Sequence, residues 1–305
     1  MAPSTDVHAQ PPARGRLPLR SVGLSSIRKP LVVERPGRVH TLAVTFRVSV
    51  DLPADRKGSD LSRNAEILAE IVDVTVARPA AGLEAACAAI ARELLARHPS
   101  AREASADATA EYFLRRGISE ARRSLEDYTL IAEAHAQRRD GGAIDARSAV
   151  GAEAVGMTAC PCAMETCRER LLAEYPALAD PSLADLPMIT HNQRNRTRLV
   201  LELDGATDVE VDEIVDAIEA AQSSPTYAIL KRGDEASAVL AAHRRPKFVE
   251  DVVRDLLGSL PSRFPRVPDS AVARASTVSE ESIHKYNVEA AHRVTFGELR
   301  AAPPP

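Results

Sequence analysis

Alternating apolar residues between positions 42 and 50 are the feature that most constrains the fold of this chain. Large apolar side chains occupy every second position there: Leu42, Val44, Phe46, Val48 and Val50. Side chains on a strand point alternately to its two faces, so this period of two predicts a half-buried β-strand. Helical spacing of apolar residues follows at 61–73 and 83–97. The first hundred residues therefore predict an α+β fold.

The rest of the chain repeats this order of elements. A turn at 115–117 is predicted to join two antiparallel strands, because Gly117 follows two arginines between strand-like runs. The other predicted elements are strands at 108–114, 124–136, 199–203, 270–278 and 286–295, and helices at 168–175, 209–222 and 247–260. We predict two tandem halves, each an antiparallel sheet with helices, at 22–188 and 189–305. A Pro-, Ala- and Arg-rich extension at 1–21 is predicted to be disordered.

Charge and cysteine usage exclude several classes of function. The formal net charge of -4 gives no basic excess for nucleic-acid binding. No apolar run approaches the roughly 18 residues that a membrane helix needs, and residues 1–20 lack the apolar centre of a secretory signal. Three of the 4 cysteines are crowded at Cys160, Cys162 and Cys167, which suits a metal or catalytic cluster in a reducing compartment. We therefore expect a cytoplasmic protein without nucleic-acid or membrane partners.

The run from Gly156 to Cys162 is the sharpest candidate for chemistry. Cys160 lies ahead of a predicted helix, whose dipole stabilises a thiolate, the form of cysteine that binds metals. His191 lies in a polar run before the strand at 199–203, and imidazole serves both as a metal ligand and as an acid or base near neutral pH. The alternative interpretations are two small buried cysteines and a solvated histidine.

A charged bend and a helix start supply further candidates. Lys231, Arg232 and Glu235 lie in the bend, which suits either an anion and metal corner or a surface ion-pair cluster. Glu250 and Asp251 open a predicted helix, where carboxylates are stabilised by the helix dipole. For Asp251, a simple capping role is the favoured interpretation.

Two more polar runs contain a histidine or a group of cations. His284 lies in a polar run just before the last predicted strand. Lys57, Ser62 and Arg63 surround a glycine-containing loop, a composition that suits phosphates through backbone N–H groups and guanidinium forks. A solvated loop with a helix cap is the alternative interpretation of that run.

In their order along the chain, these clusters resemble the landmarks of a known family. The runs are RPGRVHTL, DLPADRKGSDLSRN, GMTACPCAMET, ITHNQR, SPTYAILKRGDE, PKFVEDVVRD and EESIHKYN. They are similar to the landmarks of the GTP cyclohydrolases of type IB and their archaeal relative MptA. The resemblance extends over nearly the whole chain, from about residue 22 onward.

This resemblance implies a tunnelling fold, in which two antiparallel-sheet-plus-helices halves are fused in one chain. It also implies a homotetramer with active sites at the subunit interfaces, and a divalent metal, iron(II) or manganese, with zinc as the alternative. Cys160 corresponds to the family's site cysteine and His191 to its site histidine, both with catalytic roles. Glu235 and His284 join them as metal-site residues, and Glu250 corresponds to the carboxylate that anchors guanine.

The implied reaction is the hydrolytic opening of the imidazole ring of guanine in GTP with release of formate. Its product is 7,8-dihydroneopterin triphosphate, a precursor in pterin and tetrahydrofolate biosynthesis. The residues expected to bind the triphosphate are Lys57, Ser62, Arg63, Lys231 and Arg232.

Two departures leave the product open. Many type IB sequences have a His-Met pair where this chain has Asp60-Leu61, and the ending TFGELR is more similar to MptA. The alternative product is 7,8-dihydroneopterin 2′,3′-cyclic phosphate; the Ala- and Arg-rich composition, typical of bacteria, favours the triphosphate. An alternative from another class is a module of the same fold that binds a purine or pterin without turnover and holds a structural zinc.

Overall fold

The structure, a computed structural model, describes residues 6–12, 15–35, 37–183, 185–203 and 209–302. Its strands are β1 (Leu19–Arg35), β2 (Arg38–Leu52), β3 (Glu103–Ser119), β4 (Arg122–Arg138), β5 (Ile144–Ala159), β6 (Asn192–Leu203), β7 (Ser224–Pro225), β8 (Val272–Ser279) and β9 (Val288–Thr295). Its α-helices are α1 (Leu61–Ala77), α2 (Leu83–Arg97), α3 (Pro161–Glu174), α4 (Val211–Ala221), α5 (Arg232–Arg244), α6 (Val249–Arg263) and α7 (Phe296–Ala301). Two short 3-10 turns follow α3, at Pro176–Ala179 and Pro181–Leu183.

The strands form an antiparallel sheet that confirms the predicted α+β class. Their order is β1-β2-β3-β4-β5-β6-β8-β9, and the short β7 pairs with β5. The register of β2 against β3 sets Val44 opposite Ala110 and Val48 opposite Ala106, and all four side chains are buried. The alternation predicted at 42–50 is thus confirmed. None of the described helices combines the length and the apolar character that crossing a membrane takes.

The first compact unit contains residues 1–111, 130–150 and 202–206, as far as these are described. Within it, α1 and α2 pack against each other, and α1 also contacts β1. Phe46 of β2, Ile67 of α1 and Ile90 and Leu94 of α2 are completely buried. Each such side chain stabilises the fold by about 1.5–3 kcal/mol relative to exposure. The helices predicted at 61–73 and 83–97 are both confirmed.

The second compact unit contains residues 112–129, 151–201 and 207–305, as far as these are described. Its helices α4 and α6 pack together, and α6 also lies against β8 and β9. Two buried polar contacts fix α4 to the hairpin of β3 and β4. The hydroxyl of Tyr112 donates to Asp212 at 2.6 Å, and that of Tyr128 donates to Glu219 at 2.6 Å.

Two local predictions were wrong: the turn at 115–117 and the charged bend before Glu235. The hairpin turn lies at residues 120–121, and Gly117 is inside β3. A Cβ at Gly117 would collide with the carbonyl oxygen of Arg122, so this glycine permits close strand approach rather than a turn. The charged bend is the start of helix α5, whose buried residues are only Ala238 and Ala242. Small buried alanines give a weak helical periodicity, which hides the helix in the sequence.

Two other elements differ from the prediction. Helix α3 begins at Pro161, not at Arg168, because proline is well suited to the first position of a helix. Strand β1 was not predicted, since most of its residues are exposed and its apolar pattern is weak. The boundary between the predicted halves, at 188 and 189, stays a prediction.

The predicted disordered extension at 1–21 falls partly outside the described residues, which omit 1–5, 13 and 14. Within the described part, β1 begins at Leu19. Residues 6–10 form a turn in which the amide of Ala9 donates to the carbonyl of Asp6 at 3.3 Å and that of Gln10 to the carbonyl of Val7 at 3.4 Å.

Candidate functional site

Cys160 lies at the junction where β5 ends and α3 begins. It is the N-cap residue of α3, and its Sγ accepts a hydrogen bond from the backbone N–H of Ala163 at 3.5 Å. The sulfur therefore sits at the positive end of the helix dipole, where negative charge is stabilised. Cys162, two residues later, is exposed on the first turn of α3, so the alternative interpretation of two small buried cysteines is wrong.

His191 is held beside Cys160 through the backbone. The amide of Cys160 donates to the carbonyl of His191 at 3.1 Å, and the hydroxyl of Thr190 donates to the carbonyl of Cys160 at 2.7 Å. Two contacts in opposite directions fix the segment before β6 against the end of β5. Residues far apart in the sequence thereby become neighbours.

The imidazole of His191 has a fixed orientation. Its Nδ1 lies 2.9 Å from Oε1 of Gln193, whose Nε2 donates to the hydroxyl of Thr158 at 3.2 Å. Because the Gln193 amide donates to Thr158 with its nitrogen, it offers its oxygen to His191, which assigns the proton to Nδ1. Nε2 then keeps its lone pair for a metal or a proton. The His191 side chain is only 13% exposed.

Glu281 is a residue of this site that the sequence did not reveal. Its side chain is 7% exposed, and its Oε2 lies 3.8 Å from Nδ1 of His191. The hydroxyl of Ser279, the last residue of β8, donates to Oε1 of Glu281 at 2.8 Å. In the sequence, Glu281 stands in a charged run that resembles a solvated loop. Its place two residues after a strand and three before His284 is the signal that could have indicated it.

His284 completes this group of polar side chains. Its ring is edge-on to His191, with 6.3 Å between the ring centroids. The ring of Tyr286 stacks on His284 at 5.0 Å, which holds the His284 ring in a defined plane. Cys160, His191, Glu281 and His284 all belong to the second compact unit.

Glu235 and its two cationic neighbours lie at the start of α5, also in the second unit. Asp234 takes the capping role there, accepting from the amide of Lys231 at 3.0 Å and pairing with Arg122. The backbone N–H of Lys231 and the guanidinium of Arg122 lower the pKa of Asp234. Lys231, Arg232 and Glu235 are exposed. The neighbouring Asp234 thus provides the structural contacts and leaves Glu235 open to a ligand.

Glu250 lies on the exposed side of the first turn of α6. The next residue, Asp251, accepts a hydrogen bond from the amide of Phe248 at 3.0 Å, so its predicted capping role is confirmed. Because Asp251 caps the helix, Glu250 is not needed as its cap.

Three of the predicted phosphate-binding residues, Lys57, Ser62 and Arg63, lie in the first compact unit, around the start of α1. Lys57 and Ser62 are exposed. Arg63 pairs with Oδ2 of Asp60 at 3.0 Å and donates to the carbonyl of Arg97 at 3.2 Å. Asp60 precedes α1 but makes no capping hydrogen bond with its side chain.

The donor atoms suit a divalent metal of borderline softness. A thiol, two imidazoles and a carboxylate together favour iron, manganese or zinc over calcium. The hydrogen bond from Nδ1 of His191 to Gln193 is the kind of support that a ligating histidine normally has. Within the described part of one chain, the ligand atoms that gather within 4.8 Å of one another belong to another group, Asp6, His8 and Asp60. Cys160, His191, Glu235 and His284 thus form no closed cage there.

The family model and the similar proteins that match this chain are all GTP cyclohydrolases. A family model described as "Type I GTP cyclohydrolase folE2" matches residues 5–290. Similar relatives are GTP cyclohydrolase MptA of Methanosarcina mazei, 39% identical over 97% of this chain and 96% of that protein, and GTP cyclohydrolase MptA of Methanococcoides burtonii, 38% identical over 92% of both.

Solved structures show the same fold at low sequence identity. A uricase from Arthrobacter globiformis superposes with a TM-score of 0.52 and 8% identity, covering 94% of this chain and 96% of the uricase. A urate oxidase from Bacillus sp. TB-90 gives 0.50 and 10%, covering 91% of this chain and 100% of the oxidase. These likenesses confirm the tunnelling fold and carry no statement about activity.

Proposed function

Because this chain belongs to the type I GTP cyclohydrolase family, we propose that it opens the imidazole ring of guanine in GTP by hydrolysis. The products are formate and 7,8-dihydroneopterin triphosphate. The observation that carries this assignment is the junction of β5 and α3, where Cys160 and His191 are joined by a backbone hydrogen bond of 3.1 Å. A thiol and an oriented imidazole side by side suit metal-assisted hydrolysis better than simple binding.

We propose that Cys160, His191, Glu235 and His284 form the site of a metal, iron(II) or manganese, with zinc as the alternative. Cys160, Glu235 and His284 ligate the metal, and His191 is the acid or base beside it. When bound, such a metal makes a water molecule acidic enough to attack carbon at neutral pH. Each of these side chains offers one donor atom, and Gln193 and Tyr286 hold the two imidazole rings in place. Glu281, next to His191, is a further carboxylate of the same site.

His191 is the group that moves protons. Its Nδ1–H faces Gln193, so the remaining Nε2 can take a proton from the attacking water and return it to the ring nitrogen that leaves. The carboxylate of Glu281, 3.8 Å from Nδ1, stabilises the imidazolium formed in between. Cys160, at the helix start, supplies negative charge on the metal side.

Substrate recognition is assigned to exposed residues at the starts of three helices and in the loop before α1. Glu250 accepts paired N–H bonds from the guanine edge, a task for which Asp251 leaves it available. The triphosphate is bound by Lys57, Ser62, Arg63, Lys231 and Arg232, which together supply positive charge and a hydroxyl.

We propose a homotetramer in the cytoplasm, with active sites at subunit interfaces. The exposed positions of Glu235, Glu250 and His284 support this arrangement, because another copy of the chain can complete the site around them. The four cysteines are free, in keeping with a reducing compartment.

The test is to incubate the metal-loaded protein with GTP, oxidise the mixture and measure pterin fluorescence. We expect fluorescence with iron(II) or manganese. Its absence with iron(II), manganese and zinc alike would defeat the enzymatic proposal and favour a module that binds a purine or pterin. Chromatography of the product separates the triphosphate from the 2′,3′-cyclic phosphate. The cyclic phosphate is the second candidate, because the relatives named above are MptA proteins.

A further inference from the structure

Residues 6–10, hereafter the N-terminal strap, lie against the loop that precedes α1. The amide of Lys57 donates to the carbonyl oxygen of Gln10 at 2.7 Å and also to that of His8 at 3.2 Å. The amide of Gly58 donates to the same His8 oxygen at 3.3 Å. Two successive backbone donors of the loop are thus engaged by carbonyl oxygens of the strap.

The side chain of His8 adds a second set of contacts. Its Nδ1 lies 3.2 Å from Oδ1 of Asp60, and its ring lies over Gly58. A Cβ added to Gly58 would come within 2.9 Å of Cδ2 of His8, so the absence of a side chain there leaves room for the ring. Asp6 accepts from the amide of His8 at 3.0 Å and so shapes the strap itself.

These contacts involve the groups that a triphosphate would use. Successive backbone N–H groups and nearby cations hold phosphate oxygens, and Lys57, Gly58 and Arg63 supply both kinds of group. In the structure, carbonyl oxygens bind the two N–H groups, and Asp60 pairs with the Arg63 guanidinium at 3.0 Å. The carboxylates of Asp6 and Asp60 also repel an approaching phosphate. A polyphosphate on these donors and the N-terminal strap therefore exclude each other.

We propose that the N-terminal strap is an autoinhibitory segment that competes with the triphosphate of GTP for the loop at 56–60. The proposal rests on the proposed function, which places the triphosphate at Lys57, Ser62 and Arg63. A segment that closes the site nine-tenths of the time weakens apparent substrate affinity about 10-fold, since only the open fraction binds. The strap thus sets the GTP concentration at which the enzyme becomes active.

The experiment compares the full chain with a variant that lacks residues 2–12, using GTP turnover and inhibition by inorganic triphosphate. The KM for GTP and the inhibition constant of inorganic triphosphate should both fall by about 3- to 10-fold, with kcat unchanged. His8→Ala, which keeps the backbone carbonyls, should show a smaller shift in the same direction. Val7→Ala is the matched control, because Val7 lies in the strap, is exposed and has no polar side-chain group for these contacts.

Hydrogen exchange tests the strap independently of turnover. The amides of Lys57 and Gly58 should be protected in the full chain and should exchange faster in the shortened variant. Inorganic triphosphate, which is proposed to accept from the same N–H groups, should protect them again in the shortened variant. The proposal would be overturned if the KM for GTP and the inhibition constant of inorganic triphosphate were unchanged or raised in both strap variants. Equal exchange of these amides in the full chain and the shortened variant would also overturn it. A full chain without GTP turnover would refute the proposed function instead, and triphosphate binding and exchange would still decide the role of the strap.

Discussion

The orientation of His191 depends on two side chains that do no chemistry themselves. Gln193 connects its Nδ1 to Thr158 on β5, so the imidazole plane and its tautomer are set by the end of a strand. Supporting hydrogen bonds of this kind matter because a histidine that rotates freely presents its reactive nitrogen only part of the time. A substitution of Gln193 therefore tests whether the proton of His191 lies on Nδ1.

Replacing Gln193 with alanine should lower kcat for GTP by about 10- to 100-fold, because the His191 ring loses its acceptor at Nδ1. The measurement is steady-state turnover. Arg194→Ala is the control, since the Arg194 side chain is exposed and the substitution keeps its carbonyl, which accepts from the amide of Glu280. Equal effects in both variants would mean that the segment, and not the Gln193 amide, matters.

Replacing Glu250 with glutamine tests base recognition. The amide keeps the shape of the carboxylate but presents an N–H to the guanine edge, where paired acceptors are needed. A buried group facing the wrong partner costs on the order of 1–3 kcal/mol or more, so kcat/KM for GTP should fall by about 10- to 100-fold or more. The far-ultraviolet circular dichroism should not change, because Asp251 caps α6. Near-normal turnover would return Glu250 to the role of a plain helix-start carboxylate.

At the scale of elements, a buried histidine joins α1 to the end of α2. Nε2 of His98 lies 2.7 Å from Oδ1 of Asn64, and both side chains are buried. Burial, and then the charge of Arg63, lower the pKa of His98 below its usual 6.5. The unfolded chain therefore binds a proton here more readily than the folded chain as the pH falls through 6.5.

The contribution of neutral His98 to stability is present above that pH and is lost as the pH falls below it. We expect the free energy of unfolding of the wild type to decrease more steeply between about pH 7 and 5 than that of His98→Gln, which keeps a donor but cannot titrate. Urea titrations at several pH values measure both slopes. Parallel slopes would show that His98 is not the titrating group.

The pairing of β5 with β6 depends on a glycine. A Cβ on Gly151 would collide with the carbonyl oxygen of Leu199 and lie 2.7 Å from Cγ2 of Val200. Backbone cannot yield as a side chain can, so Gly151→Ala should destabilise the protein by about 1–3 kcal/mol. Gly258→Ala is the matched control, because a Cβ in that turn of α6 meets nothing within 4 Å. It should stabilise the helix by about 0.5–1 kcal/mol. The measurement is the thermal unfolding midpoint of each variant. Equal midpoints would contradict the steric role assigned to Gly151.

For the molecule as a whole, the sequence predicts the elements whose buried face is large and continuous. The strand around Phe46 and the helix around Ile90 are recognisable because apolar side chains recur at a fixed period. Helix α5 and strand β1 are not, since α5 buries only two alanines and β1 is mostly exposed. Gly117 shows the further limit that a glycine can signal close strand contact as well as a turn.

The candidate site was predictable only in part. The positions of Cys160 and His191 followed from a resemblance of motifs, and local periodicity could not have brought them together. Glu281 was missed because its burial depends on Ser279 and His191, contacts that exist only in the folded chain. Its neighbour Glu280 has the same side chain but is exposed and pairs with Arg196 at 3.7 Å. Residue type alone therefore cannot separate the two.

The neighbouring cysteines allow the most direct test of metal-assisted GTP hydrolysis at the junction of β5 and α3. Cys160 and Cys162 are two residues apart, but only Cys160 shares backbone hydrogen bonds with the segment of His191, while Cys162 is exposed on α3. The measurement is metal content together with formate release from GTP in purified Cys160→Ala and Cys162→Ala. Cys160→Ala should lose turnover and most of its metal with the oligomer intact, and Cys162→Ala should keep most of both. Equal loss in the two variants would indicate a site with two thiolates, and full activity in Cys160→Ala would contradict the mechanism.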